Sequence, residues 1–222
     1  MNPRADIVTA CRVLEKAGQA DMVWGHVSIR DPDGRGVWLK GSNLGFDEVT
    51  EETVILLGWD GEIIEGEAGR HVEYPIHTEI MARRPEINSV VHTHPLYSIA
   101  FAATGRPLKA LSHEGSHFVP PDIARFDQTG DLVRTPDLGR ALAETLGERL
   151  GVLMPHHGIT TVGTDVGEAV AAATHLERAC QIALLAGPDA VGSSDEEALE
   201  KRKRSARHLA MAWAYLSRTV AR

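Results

Sequence analysis

Cysteine, aromatic side chains and long apolar runs are all scarce in this chain of 222 residues. Its 2 cysteines are Cys11 and Cys180, and aromatic residues make up 5% of the sequence. Two cysteines are too few for the disulfide framework of a small secreted protein, so we expect a reducing, cytoplasmic location. No apolar run approaches the roughly 20 residues of a membrane span, and the N-terminus lacks the apolar segment of a signal peptide. We therefore expect no membrane partner.

Positive charge is also in short supply. Basic residues number 23 against 31 acidic residues, which gives a formal net charge of −8. A chain with this balance is a poor candidate for binding nucleic acid, and its basic run at residues 201–204 is typical of a solvated helix face. Hydrophobic residues at 43% and charged residues at 24% are ordinary for a globular protein. The length predicts a single domain over residues 1–222.

Hydrophobic periodicity and turn residues divide the chain into helices and strands. Helices are predicted over residues 3–18, 74–84, 96–103, 138–146, 166–185 and 193–219. Strands are predicted over residues 27–30, 37–39, 54–57, 63–64, 87–92, 152–154 and 159–162. The polar stretch 112–136 is predicted to form long loops, which are often functional. Because the first strands pair as hairpins, the pattern indicates one α/β domain with an antiparallel or mixed sheet.

Histidine, in contrast, is abundant, with 11 residues. Two of them, His92 and His94, lie at the end of a predicted strand. Side chains at positions i and i+2 of a strand point to the same face, so these two imidazoles can bind one ion. Neutral imidazole suits zinc, manganese, iron or cobalt, and a catalytic site normally has three protein ligands and an open position. On its own, the pair is equally consistent with a structural role.

Two further features favour a metal site. The pair His156-His157 follows a short apolar strand and precedes Gly158, at a turn from which a side chain can reach a cleft. Glu73 lies at the start of a predicted helix, and His77 follows one turn later. A carboxylate that is free to act as a base beside a metal site is a recurrent catalytic arrangement.

Taken together, these segments resemble the class II aldolase/adducin family. The matching segments occur in the order and spacing of that family over about residues 5 to 190: Gly25-His26-Val27-Ser28, Glu73 with His77, residues 90–94, and His157-Gly158 followed by a long helix. The resemblance implies that His92, His94 and His157 bind one divalent metal ion per subunit and that Glu73 is the acid/base. Zinc is the first choice for this ion, with manganese, cobalt and iron as alternatives.

The resemblance also implies a fold and an assembly. The fold is a single α/β domain whose central sheet is mainly antiparallel and flanked by helices. The assembly is a homotetramer whose active sites lie between neighbouring subunits, and the residues we single out for the neighbour's contribution are His113, His117 and Tyr215. His156 and His77 are expected to support the site or the packing around it.

The sequence departs from the sugar-phosphate members of this family at the positions that bind the phosphate group. Where those members have asparagine, this chain has His26, and where they have two serines before the catalytic glutamate it has His71 and Val72. Two hydroxyl donors are lost, so we expect a carboxylate in place of a phosphate. The residues expected to bind the substrate are His26, Ser28, Lys40, Ser42, Asn43 and His71.

Four functions remain open from the sequence. The leading one is a metal-dependent lyase that acts on a small, non-phosphorylated substrate carrying a carboxylate, such as a hydroxyaromatic acid or an oxo acid. Either decarboxylation or retro-aldol cleavage would proceed through an enolate that the metal ion stabilises. The alternatives are a sugar-phosphate aldolase or 4-epimerase, an iron-dependent oxygenase on the same three histidines, and a catalytically dead adducin-like scaffold.

Overall fold

The computed structural model describes residues 2–205 and 207–221. Within these residues the α-helices are α1 (Pro3–Lys16), α2 (Pro75–Arg83), α3 (Leu96–Ala103), α4 (Pro136–Leu146), α5 (Val166–Ala186), α6 (Asp195–Arg204) and α7 (His208–Val220). The strands are β1 (His26–Arg30), β2 (Gly36–Lys40), β3 (Val54–Gly58), β4 (Ile63–Glu65), β5 (Ser89–Thr93), β6 (Ala124–Arg125), β7 (Gly151–Met154) and β8 (Gly158–Gly163). Single 3-10 turns lie at Phe46–Glu48, Glu51–Thr53 and Gly115–His117.

All eight strands form one sheet in the order β4-β3-β2-β1-β5-β8-β7-β6. Each neighbouring pair is antiparallel except β6 and β7, which are parallel. The predicted fold class, an α/β domain with a mainly antiparallel sheet flanked by helices, is confirmed.

Helices cover both faces of the sheet, which explains why β5 is buried at all five positions. Strand side chains alternate between faces, and Val91 packs on the side of α1 and α5 whereas Val90 packs on the side of α2 and α4. His92 lies two residues after Val90, so it shares the face covered by α2. The central strand thus carries its imidazole into the interior next to the start of that helix.

The predicted helices are close to those observed, with one correction at the C-terminal end. The single helix expected over residues 193–219 is wrong, because α6 ends at Arg204 and α7 begins at His208. A turn closed by the His208 N–H donating to the Ser205 carbonyl separates them, and Ala206 lies outside the described residues. The turn lets α6 contact the segment 115–117 while α7 packs on α1 and α5.

Two smaller features complete the fold. Inside the stretch 112–136, which was expected to be loop, the structure contains the turn Gly115–His117 and the short edge strand β6. Sequence patterns cannot identify a two-residue strand, because its pairing with β7 alone defines it. Among the described helices, none is both long enough and apolar enough to cross a membrane.

Candidate active site

Three paired strands place the first histidine. In the antiparallel pairing of β1, β5 and β8, His92 lies opposite His26 on one side and Thr160 on the other. His92 is fully buried, and His94 follows directly after the end of β5. The Nε2 atoms of His92 and His94 are 3.0 Å apart, so the two rings converge as their spacing predicts.

The third histidine lies in the turn between β7 and β8. This turn is closed by the His157 N–H donating to the Met154 carbonyl at 3.0 Å, and His156 takes a left-handed backbone conformation with φ of 65°. Gly158 follows, and a Cβ atom there would lie 2.4 Å from the Thr93 carbonyl oxygen. A glycine after His157 is therefore required for the turn to approach β5 closely enough for the third ring to join the other two.

Glu73 lies in the turn that leads into α2, and it is almost completely buried. Its Oε1 accepts a hydrogen bond from the Val133 N–H at 2.7 Å and lies 3.5 Å from His157 Nε2. Its Oε2 lies 3.7 Å from His92 Nε2 and 3.9 Å from His26 Nε2. One carboxylate oxygen is therefore anchored to the backbone, while the other lies near both His92 and His26.

The donor set fits a divalent metal ion. One donor atom from each of Glu73, His92, His94 and His157 lies within 4.8 Å of the others. Both ring nitrogens of His157 are buried and lack a hydrogen-bond partner in the described part of the chain, which is unusual unless an ion takes that place. Burial lowers the pKa of His92 and of His94, so both rings are neutral, as metal binding requires.

Two outer partners orient these rings. Asp21 Oδ2 accepts from His94 Nδ1 at 3.2 Å, which leaves the lone pair of His94 Nε2 free. Thr160 Oγ1 lies 3.3 Å from His92 Nδ1 and donates its own hydrogen to Met154 Sδ, so it accepts from His92 in the same way. Such partners fix the tautomer of a metal-binding histidine and strengthen its lone pair as a ligand.

A cavity of about 550 Å³ opens beside these groups. Its apolar wall includes Trp24, Val72, Ile99 and Leu132, and its polar wall includes His26, Ser42, Asn43, Arg70 and His71. His94, His157 and Glu73 also line it. The cavity therefore joins the candidate metal ligands to a mixed polar and apolar surface of a size suited to a small organic molecule.

The residues predicted to bind substrate divide into two groups. His26, Ser42, Asn43 and His71 line the cavity, whereas Ser28 and Lys40 do not, because both are completely buried. Their substrate contacts stay a prediction that this placement does not favour.

Each of the two buried residues has partners inside the protein. The hydroxyl of Ser28 contacts His77 Nδ1. The Lys40 ammonium donates to the carbonyls of Val23 and Gly41, and its burial lowers its pKa to about 8. Ser28 shares the face of His26, two residues before it, whereas Lys40 follows Leu39, the partner of Ser28, and therefore points to the opposite face of the sheet. The sequence did not show how deep either side chain lies.

Sequence reasoning missed Asp21, Trp24 and Leu132. Asp21 and His94 are 73 positions apart, and no local motif links a carboxylate to a histidine at that separation. Trp24 precedes the Gly25-His26 segment directly, so its position next to a cavity residue was the one available signal. Leu132 lies within the stretch 112–136 that was expected to be a functional loop.

The residues singled out for the neighbouring subunit lie away from this cavity. The ring of His117 stacks on that of His175 with centroids 5.4 Å apart, and the ring of His113 is 6.3 Å from that of His208. Tyr215 is exposed on α7. Within one chain none of the three reaches the site, so their contribution across a subunit boundary stays a prediction.

Removing the charge of Asp21 should weaken metal binding. We expect Asp21→Asn to reduce zinc affinity by about 10- to 100-fold, because an amide is a poorer acceptor for His94 Nδ1. Competition with a chromophoric chelator measures this affinity. The matched control is Asp131→Asn, at another cavity carboxylate whose oxygen is bonded to the Leu132 N–H. Equal affinities in the two variants would show that Asp21 does not orient His94.

The buried neutral histidines should make the metal-free protein less stable in acid. Burial lowers the pKa of His71 and of His77 to about 3, whereas in the unfolded chain both titrate near 6.5. Below about pH 6.5 the unfolded state therefore binds more protons, and the free energy of unfolding falls as pH decreases toward 3. Each histidine contributes up to about 1.4 kcal/mol per pH unit.

Urea unfolding at a series of pH values measures this slope. His71→Asn removes the contribution of one buried histidine, so its slope between pH 6 and 4 should be shallower than that of the unchanged protein. An identical slope in the variant would contradict the assignment.

The family model for the class II aldolase and adducin N-terminal domain matches residues 5–184 of the chain. The meiotically up-regulated gene 14 protein of Schizosaccharomyces pombe is 35% identical over 182 residues, covering 81% of this chain and 70% of that protein. The 3,4-dihydroxyphthalate decarboxylase of Arthrobacter keyseri is 32% identical over 195 residues, covering 82% of this chain and 77% of that enzyme.

The structure also resembles a solved aldolase. The L-fuculose 1-phosphate aldolase of Glaciozyma antarctica PI12 superposes with a TM-score of 0.86 at 26% identity, over 98% of this chain and 88% of that chain. Decarboxylation and aldol cleavage thus occur among proteins similar to this one. Motif spacing, family model and fold agree, and the chain is a metal-dependent lyase of the class II aldolase and adducin family.

Proposed function

We propose that the protein breaks a C–C bond in a small, non-phosphorylated substrate that carries a carboxylate, by decarboxylation or retro-aldol cleavage. The observation that carries this proposal is the position of Glu73 Oε2. It lies between the candidate metal ligand His92, at 3.7 Å, and the cavity residue His26, at 3.9 Å. A substrate in the cavity would then have an acid/base group next to its reacting atoms.

The metal would be held by His92, His94 and His157, with Glu73 as a fourth ligand in the absence of substrate. A divalent ion in this position supplies a Lewis acid that stabilises the negative charge developing on a substrate oxygen as the C–C bond breaks. Zinc is our first choice, because imidazole nitrogen is among its preferred ligands.

Glu73 moves the proton. Because Oε1 is held by the Val133 N–H, Oε2 is the atom that takes a proton from the substrate or returns one to it. The carboxylate is nearly buried, and Trp24, Ile99 and Leu132 form the neighbouring apolar wall. This wall excludes water from the reacting atoms, which strengthens each electrostatic contact within the cavity.

The chemistry of the polar wall favours a carboxylate over a phosphate. His26 and Asn43 can donate hydrogen bonds to an anionic oxygen, but His71 Nε2 is already 3.2 Å from the Gly41 carbonyl and donates there. Val72 lines the cavity with 57% of its surface exposed and has no donor to offer. The wall thus has no free donor at positions 71 and 72, which weakens its match to a phosphate monoester, whereas His26 and Asn43 suffice for a planar carboxylate.

We propose that the protein is a homotetramer in which a neighbouring subunit completes each cavity. Large apolar side chains are exposed around the site, among them Met22, Trp24 and Leu96. Apolar patches that stay exposed in a single chain are typical of surfaces covered by a partner. His113, His117 and Tyr215 remain the residues that we propose for the neighbour's contribution.

A second candidate function is the cleavage of a sugar phosphate. The specific observation in its favour is that Ser42, Asn43 and Arg70 line the cavity, since hydroxyl, amide and guanidinium groups all bind phosphate. A catalytically dead scaffold is disfavoured, because the complete donor set and Glu73 are retained.

Replacing the acid/base should separate catalysis from metal binding. We expect Glu73→Gln to keep its metal and to lose at least about 100-fold in kcat, the usual contribution of a general acid/base. The glutamine oxygen can still accept from Val133, so the local structure is preserved. Elemental analysis and steady-state kinetics measure the two quantities, with Glu79→Gln on α2 as the control. Near-normal kcat in Glu73→Gln would show that another group moves the proton.

A substrate panel tests the preference for a carboxylate. Dihydroxybenzoates, hydroxyphthalates and 2-oxo acids are compared with L-fuculose 1-phosphate, and release of CO2 or aldehyde is measured with zinc, manganese and cobalt. We expect the best acid to exceed the sugar phosphate by at least about tenfold in kcat/KM, the equivalent of one hydrogen bond to a charged group.

His26→Ala should raise KM for that acid while leaving the metal content unchanged. The substitution would remove a contact with the substrate but no ligand of the metal ion. Faster turnover of the sugar phosphate than of any acid would overturn our interpretation of His26 and Val72 and support the second candidate.

A further inference from the structure

Behind the cavity, three buried polar side chains form a short hydrogen-bonded row. His26 Nδ1 lies 2.6 Å from His77 Nε2, and His77 Nδ1 lies 2.6 Å from Ser28 Oγ. Ser28 and His77 are completely buried and His26 is 2% exposed. Both ring nitrogens of His77 are used in this row, so its two neighbours together determine which nitrogen carries its proton.

The hydroxyl of Ser28 sets the direction of the row. In the residues that the structure describes, Ser28 Oγ has no hydrogen-bond partner other than His77 Nδ1. A buried O–H without an acceptor is strongly disfavoured, so the hydroxyl donates to His77. Burial lowers the pKa of His77 to about 3, and the ring is therefore neutral with a single proton. With Nδ1 accepting, that proton is on Nε2.

The same argument determines which nitrogen of His26 carries the proton. The N–H at His77 Nε2 donates to His26 Nδ1, so the proton of the neutral His26 ring is on Nε2. That atom is the one that faces Glu73 Oε2 at 3.9 Å, on the wall of the cavity. The opposite direction would leave the Ser28 hydrogen without an acceptor and would point a lone pair of His26 at a carboxylate.

We propose that Ser28 and His77 are positioning residues that fix His26 in the Nε2–H tautomer, so that the cavity always presents a donor to an anionic oxygen of the substrate. The tautomer is a property of the protein alone, whereas the contact with substrate rests on the function proposed above. The row also gives Ser28 a role in the site without any contact between Ser28 and the substrate.

Nitrogen NMR on protein labelled with 15N-histidine tests the tautomer directly, in zinc-loaded protein near pH 7.5. Protonated and bare ring nitrogens have well-separated shifts, and His26→Gln and His77→Gln assign the signals by their loss. We expect single Nε2–H tautomers at both residues in the unchanged protein. A proton on Nδ1 of His26 would overturn the proposal. This outcome does not depend on any measurement of activity.

Ser28→Ala removes only the hydroxyl that sets the direction. We expect His26 and His77 to become mixtures of tautomers, and KM for the preferred acid to rise by about three- to tenfold at unchanged metal content and kcat. The matched control is Ser89→Ala, a buried serine of the paired strand whose hydroxyl donates to the Ser28 carbonyl. It should leave both the spectrum and KM unchanged.

A conservative replacement adds a rescue. His77→Gln retains an amide N–H that can donate to His26 Nδ1, so it should keep the His26 tautomer and a KM within about threefold of the unchanged protein. His77→Leu has no donor, so it should lose the single His26 tautomer and show a raised KM. If Ser28→Ala and His77→Leu keep a single Nε2–H tautomer at His26, the positioning role is wrong. If the tautomers change but KM does not, the substrate contact proposed for His26 is wrong.

Discussion

The antiparallel pairing of β1, β5 and β8 is the constraint on which the rest of the site depends. It places His26, His92 and Thr160 side by side on one face of the sheet, and the packing of α2 on that face brings Glu73 and His77 against them. A shift of one residue in the register of β5 would turn His92 to the opposite face. Backbone hydrogen bonds in the middle of the sheet therefore determine the distances between the catalytic groups.

Neutral imidazoles make this interior polar without making it charged. His26, His77 and His92 are all buried, and burial lowers the pKa of each. A buried charge would require a partner, whereas a neutral ring requires only hydrogen bonds or a metal ion. The outer partners Asp21 and Thr160 satisfy one nitrogen of His94 and one of His92, respectively, and leave the other nitrogen of each of these two rings available to the ion.

Local patterns predicted the parts of the site that depend on local geometry. The spacing of His92 and His94 predicted their convergence, because strand periodicity is a property of the backbone. The pairing of Asp21 with His94 and the depth of Lys40 could not be predicted, since both depend on which segments pack together over long separations. The C-terminal helix was predicted as continuous because residues 195–219 have no proline or glycine, and the turn at Ser205 is set by tertiary packing.

The turn at Gly158 divides the site into a part that evolution can vary and a part that it cannot. Any side chain there would collide with the Thr93 carbonyl. The backbone of the strand that carries His92 and that of the turn that carries His157 must therefore keep complementary shapes. The opposite wall, with Val72 and Leu132, belongs to connecting segments, where substitutions are tolerated. Relatives with the same ligand side can therefore diversify in the molecules they accept by changing the loops alone.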